Sequence, residues 1–164
     1  MTDDGSSGDG TSDASPSPAA VVDDIDQPVL LFDGVCTLCN TSIRAIVRLD
    51  GDGRILFAPL QSEVGAELLD RVGMDEEYFE SLVLVEPDEE GWEATTKSTA
   101  VLQVCRYLDG PLPLLWPLVY VPGSVRDSLY DVVAEYRYQV FGKKDECPIP
   151  PEHIRQRFLE RSLA

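Results

Sequence analysis

Two cysteines separated by two residues, Cys36-Thr37-Leu38-Cys39, are the strongest chemical signal in the sequence. They stand where the apolar run Val29-Leu30-Leu31-Phe32 stops at Asp33-Gly34 and a helical pattern begins. In the first turn of a helix this spacing brings both sulfurs to one side, close enough for a small disulfide ring to close and open. Unpartnered amide N–H groups at the helix start, together with the helix dipole, favour a thiolate at Cys36. Cys39, one turn further in, is expected to be the less exposed sulfur. These positions predict that Cys36 attacks a disulfide or thiol partner and that Cys39 resolves the mixed disulfide.

Competing chemistry for the pair is a metal site or a purely structural disulfide. Zinc requires further ligands, and only Cys147 and the single histidine, His153, are at hand, far along the chain. A reducing compartment disfavours a structural bridge. A dithiol oxidoreductase with no cofactor beyond its thiols is the leading reading, and a metal-binding or membrane- or partner-docking adaptor with a structural cysteine pair the alternative. Asp33, three residues before Cys36, either caps the turn or accepts the Cys39 proton during resolution, which would require a partly desolvated carboxyl. Lys97 and Gln61 are candidate auxiliary residues: Lys97 as a cation approaching the cysteine edge, Gln61 as a substrate contact or loop residue. Cys105, on an apolar helix face, reads as a small core residue, whereas Cys147, in a polar segment, is either a loop residue or a third redox thiol.

The elements that must position these residues follow from periodicity. Val29–Phe32 reads as a central strand, followed by a helix with Leu38, Ser42, Ala45, Ile46 and Leu49 on one face, stopped by Gly51-Asp52-Gly53. Ile55-Leu56-Phe57 gives a second strand. Ser62 caps a second helix that turns Val64, Leu68, Leu69 and Val72 inward and closes at Gly73. Leu82–Val85 and Trp92–Thr95 form a hairpin, and Ser98 starts a third helix with Val101, Val104, Cys105 and Leu108 buried. The order β-α-β-α-β-β-α predicts an α/β domain, a four-stranded mixed sheet with flanking helices. Beyond Gly110 the uncharged stretch Leu112–Val121, broken by prolines and too short to span a membrane, is a helical connector or a hydrophobic docking patch. A longer helix then carries the stripe Val125, Leu129, Val132, Val133, Tyr136 and Val140, and a last short one begins at Pro150-Pro151 and uses Ile154, Phe158 and Leu159.

The chain of 164 residues has the size of one domain, with 43% hydrophobic residues and a net charge of −17. Such a charge repels nucleic-acid phosphates, so nucleic acid is not an expected partner. Ten arginines and only three lysines accompany the acid excess, a pattern expected of a halophilic, salt-filled cytoplasm where salt screens self-repulsion. No basic start followed by an apolar segment indicates secretion, so a cytoplasmic location is expected. Residues 1–28, with seven aspartates and no basic residue, read as a disordered acidic tail without apolar anchors. Residues 29–110 form the expected core and 111–164 a helical extension packed on it.

Asp33-Gly34-Val35-Cys36-Thr37-Leu38-Cys39-Asn40, preceded by Leu30-Leu31-Phe32, resembles the Asp-x-x-Cys-x-x-Cys motif of the DCC family of predicted thiol-disulfide oxidoreductases. The likeness continues through Phe57-Ala58-Pro59-Leu60-Gln61-Ser62, Lys97-Ser98-Thr99-Ala100, Trp116-Pro117 and Arg126–Asp131. It ends at Arg137-Tyr138 and Phe141–Cys147, and so covers about residues 28–160. The resemblance implies a thioredoxin-like fold with Asp33, Cys36 and Cys39 as active-site residues, and a protein or small-molecule thiol or disulfide as substrate. Thioredoxins proper differ in two respects. Thr37-Leu38 contains no proline, and none of Tyr78, Phe79, Glu80 or Ser81 is the proline that thioredoxins place opposite their cysteines, so a different presentation of peptide substrates is expected.

Overall fold

A computed structural model describes residues 17–34, 36–75, 81–142 and 157–159. Its centre is β1 (Val29–Phe32), whose alternate side chains enter two different cores. Leu30 and Phe32 face one core, Val29 and Leu31 the other, which is why the strand is apolar at every position rather than at every second one. β2 (Leu56–Pro59) runs parallel to β1, with Phe32 opposite Pro59. β3 (Val83–Asp88) is antiparallel to β1 and forms a hairpin with β4 (Gly91–Thr96) around Glu89-Glu90. The sheet order is β2-β1-β3-β4, the expected four-stranded mixed sheet with flanking helices, consistent with a thioredoxin-like fold.

The segment before β1 corrects the expectation of an unanchored tail reaching residue 28. Pro18–Asp23 form α1, started by Ser17, whose hydroxyl accepts the Ala20 N–H. Val22 is fully buried in the second core, and Asp23 pairs with Arg71 at 2.7 Å. Val22, the partly buried Val21 and Ile25, and the ion pair with Arg71 thus dock the segment on the second core and α3 (Glu63–Arg71). Residues 1–16 lie outside the described residues.

Ser62 caps α3 as expected, its Oγ accepting the Gly65 N–H at 3.0 Å. Gly65 serves a packing purpose, because a Cβ there would lie 2.3 Å from the Pro59 carbonyl oxygen. Gly73 follows the helix with φ +68, where glycine carries no Cβ penalty.

α2 (Thr37–Leu49) is rotated relative to the expected face. Cys39, Asn40 and Ile43 are its buried residues, Leu49 is exposed, and Leu38 and Ser42 border a groove. The cause is the cysteine pair, which turns toward the sheet and carries Ile43, one turn on, with it. Asp50 ends the helix, buried, with its carboxylate accepting the Arg54 and Ile55 N–H groups and pairing with Arg157. Phe158 stacks on Phe57 and meets Phe32 edge-on, so Phe158 and Leu159 are buried as the sequence predicts. Ile154 lies outside the described residues.

β4 passes directly into α4 (Lys97–Tyr107), and Lys97 makes the corner in the left-handed region at φ 52. Ala100, Leu102, Val104 and Cys105 are the buried residues of α4, whereas Val101, expected inside, is exposed toward the groove. Leu112–Tyr120 form a 3-10 helix against α4, with the Arg106 guanidinium 4.7 Å from the Trp116 ring centre. α5 (Gly123–Phe141) completes the chain order. It is tied to the core by Lys97–Asp131 at 2.9 Å, by Arg126 donating to Ser98, and by the Leu82 N–H donating to Tyr130. Its stripe of Val125, Leu129, Val132, Val133, Tyr136 and Val140 is exposed rather than packed. No helix among the described residues is long and apolar enough to cross a membrane.

Candidate dithiol site

β1 delivers Asp33-Gly34 and α2 begins immediately after, so the end of one strand and the start of one helix place both cysteines. Cys36 is itself the helix N-cap, in extended conformation, and its Sγ accepts the Cys39 N–H at 3.4 Å. A sulfur thus fills the position where a serine or aspartate oxygen ordinarily satisfies a free amide of the first turn. Asn40 fixes the approach, its side-chain amide donating to the Gly34 carbonyl at 2.8 Å and its backbone N–H to the Cys36 carbonyl at 3.0 Å.

Cys36 is the N-cap, and the Asp33 carboxylate belongs to a buried network. Gln61, from the turn after β2, donates through Nε2 to Asp33 Oδ1 at 3.0 Å and accepts the Gly34 N–H through Oε1 at 3.2 Å. One amide side chain therefore fixes both the carboxyl and the loop bearing the cysteines. The other carboxylate oxygen, Oδ2, lies 3.5 Å from Arg137 Nη2 in an ion pair buried on both sides. Arg137 is the residue whose role the sequence reading missed. Its signal was an arginine one helical turn beyond Val133, on the flank of an apolar stripe.

Both sulfurs are free thiols and buried, with Cys36 at 0% exposure and Cys39 at 6%. This reverses the expected order, because the rotation of α2 turns Cys36 inward and leaves Cys39 on the wall of the groove. Burial is the main cause that pushes the Cys39 thiol up to about 12. Its hydrogen bond to the Cys36 sulfur and that sulfur's charge add to the rise; Arg137 opposes it and Asp33 reinforces it. Cys39 consequently holds its proton at neutral pH and donates it toward Cys36.

Lys97, the expected auxiliary cation, falls elsewhere. Lys97 pairs with Asp131 of α5, and the cation acting on Cys39 is Arg137 instead. Cys105 is a buried core thiol, raised by burial. Cys147 and His153 lie outside the described residues, and among the described residues no cluster of three or more His, Cys, Asp or Glu could hold a metal ion.

Comparison of the sequence with known proteins gives relatives and a family. Over 131 residues the chain is 46% identical to the uncharacterized protein YuxK of Bacillus subtilis (strain 168), covering 80% of this chain and 93% of the relative. It is 43% identical over 124 residues to a chloroplastic DCC family protein of Arabidopsis thaliana, covering 75% of this chain and 70% of that one. No solved structure matches it. Residues 30–143, which include both cysteines, Asp33, Gln61 and Arg137, match the DCC1-like thiol-disulfide oxidoreductase family, and the chain belongs to that family.

Proposed function

We propose that the protein is a dithiol–disulfide oxidoreductase in which Cys36 attacks and Cys39 resolves. The observation that carries this reading is the contact between the two residues: Cys36 Sγ receives the Cys39 amide at a helix N-terminus, while Cys39 remains a protonated donor beside it. In the first step the Cys36 thiolate attacks one sulfur of a substrate disulfide, forming a mixed disulfide and expelling the other sulfur as a thiolate. Cys39 then loses its proton and attacks Cys36 Sγ, closing the Cys36–Cys39 disulfide and releasing the second substrate thiolate. The substrate gains the two electrons that the dithiol loses, and the reverse sequence oxidises a dithiol substrate.

Trapping tests the assignment. Cys39→Ser is expected to accumulate a mixed disulfide at Cys36, because attack proceeds and resolution does not, whereas Cys36→Ser is expected to trap little. Equal trapping by both variants would overturn the division of roles. A cytoplasmic, high-salt setting is part of the same proposal, supported by the −17 charge and the preference for arginine. An unfolding midpoint that does not rise with KCl would remove the halophilic part.

A further inference from the structure

Beside the dithiol, α2, α4, the 3-10 helix and α5 border an open groove of about 570 Å³. Leu38, Val101, Leu118, Val125, Leu129 and Val133 supply its apolar lining, and Cys39 and Arg137 form part of the same wall. Its charge is the opposite of the molecule's. The chain carries 30 acidic and 13 basic side chains, yet among the described residues that line the groove none is an aspartate or glutamate, and two, Arg126 and Arg137, are arginines. Arg137 is engaged by Asp33. Arg126 is half-buried at the groove, held by bonds from Nε to the Val121 carbonyl at 3.0 Å and from Nη1 to Ser98 Oγ at 2.9 Å. A fixed guanidinium beside an apolar lining selects an apolar occupant that carries an anionic group.

The surface beyond the groove decides what kind of occupant this is. Leu114 and Tyr120 of the 3-10 helix are 78% and 85% exposed, and Val132, Tyr136 and Val140 extend the apolar surface along α5. A small molecule confined to the groove leaves these side chains in water, whereas a polypeptide covers them as well. An anionic lipid surface is opposed by the charge of −17.

We propose that the groove receives a peptide segment of a substrate protein. Apolar side chains flank the reacting cysteine of that segment, and an acidic residue is set against Arg126. Because Cys39 belongs to the groove wall, a segment seated there brings its sulfur beside Cys39, whose N–H donates to the Sγ of the attacking Cys36 behind it. The proposal rests on the thiol–disulfide reading above and names the substrate class for that site.

The test is direct binding of a fluorescein-labelled short peptide to the full chain, followed by anisotropy. The peptide carries Leu and Val around a serine that replaces the cysteine, and a single Glu. Saturable binding is expected, weakened about tenfold or more by Leu129→Glu, which sets a carboxylate against an apolar lining. Leu129 and Val125 are 71% and 62% exposed, so Leu129→Glu and a second variant, Val125→Glu, remove little buried surface; thermal melts check that both remain folded. Arg126→Gln is expected to abolish the preference for the Glu peptide over its Gln counterpart, and Arg126→Lys to retain it. Absence of saturable binding, unaltered binding by both Glu variants, or binding to phosphatidylglycerol vesicles in place of the peptide would overturn the proposal. An undiminished Glu preference in Arg126→Gln would remove the acidic residue from it. The peptide has no sulfur, so a negative result leaves the trapping experiment standing, and failed trapping leaves this binding measurement readable.

Discussion

Arg137 Nη2 stands 3.5 Å from Asp33 Oδ2, joining α5 to the loop that carries both cysteines, and neither side chain is more than 6% exposed. Removing one member of a buried pair leaves the other charge without its counter-ion in a low-dielectric site, which costs more than the pair itself contributes. Arg137→Gln is therefore expected to destabilise the protein by about 3 kcal/mol, and the double variant Asp33→Asn, Arg137→Gln by less than the sum of the two single changes. Urea unfolding of the four proteins measures this. Additive costs would show that the two residues act independently.

The raised Cys39 thiol has a consequence for stability at alkaline pH. Its value of about 12 lies above the ordinary 9.0, so between these pH values the folded chain keeps a proton that the unfolded chain has released. The resulting stabilisation is complete below pH 9.0 and is lost as pH rises toward 12. Tyr107, raised to about 12 by burial and by its hydrogen bond to Glu86, adds a decline of the same sign from pH 10.0 upward. Reduced protein followed by denaturant unfolding across this range is expected to lose stability more steeply than Cys39→Ser. Parallel curves would mean that Cys39 titrates normally.

α1 supplies a third prediction. Val22→Ala removes two buried methyl groups from the second core and is expected to cost about 2 kcal/mol, read from the unfolding midpoint. Deleting residues 1–28 is expected to cost more than Val22→Ala, because the Asp23–Arg71 ion pair is lost as well. A truncated chain with the wild-type midpoint would show that α1 does not hold the core.

Local chemistry was legible in the sequence, and long-range pairing was not. The run Val29–Phe32, the adjoining Cys36-Thr37-Leu38-Cys39 and the Ser62 cap each declare themselves within a few residues, and each is found where the spacing places it. Arg137 escaped because its partner, Asp33, lies far away in the chain, and a single arginine beside an apolar stripe looks like any solvated one. The helix periodicity of α5 was read correctly, but periodicity marks an apolar face without saying what covers it, so the stripe beside the groove gave no sign of its exposure. α1 was hidden by seven aspartates in its neighbourhood. The signal that finds it is short: Ser17 as cap, Pro18 in the first turn and the apolar residues that follow.

Asp33 itself is tested by the direction of a rate change. Its charge reinforces the rise of the Cys39 thiol, so a purely electrostatic Asp33 predicts that Asp33→Asn makes Cys39 easier to deprotonate and speeds resolution. An Asp33 that accepts the Cys39 proton predicts the reverse. We expect the second outcome: resolution slowed about a hundredfold, while the first attack by Cys36 changes little, since general-base assistance of this kind contributes about that much. Rapid-quench measurement of mixed-disulfide decay, in wild type and Asp33→Asn, separates the two steps. The slowing is expected to shrink as pH rises, because hydroxide progressively replaces the missing carboxylate, whereas a faster decay in Asp33→Asn would leave Asp33 with an electrostatic role alone.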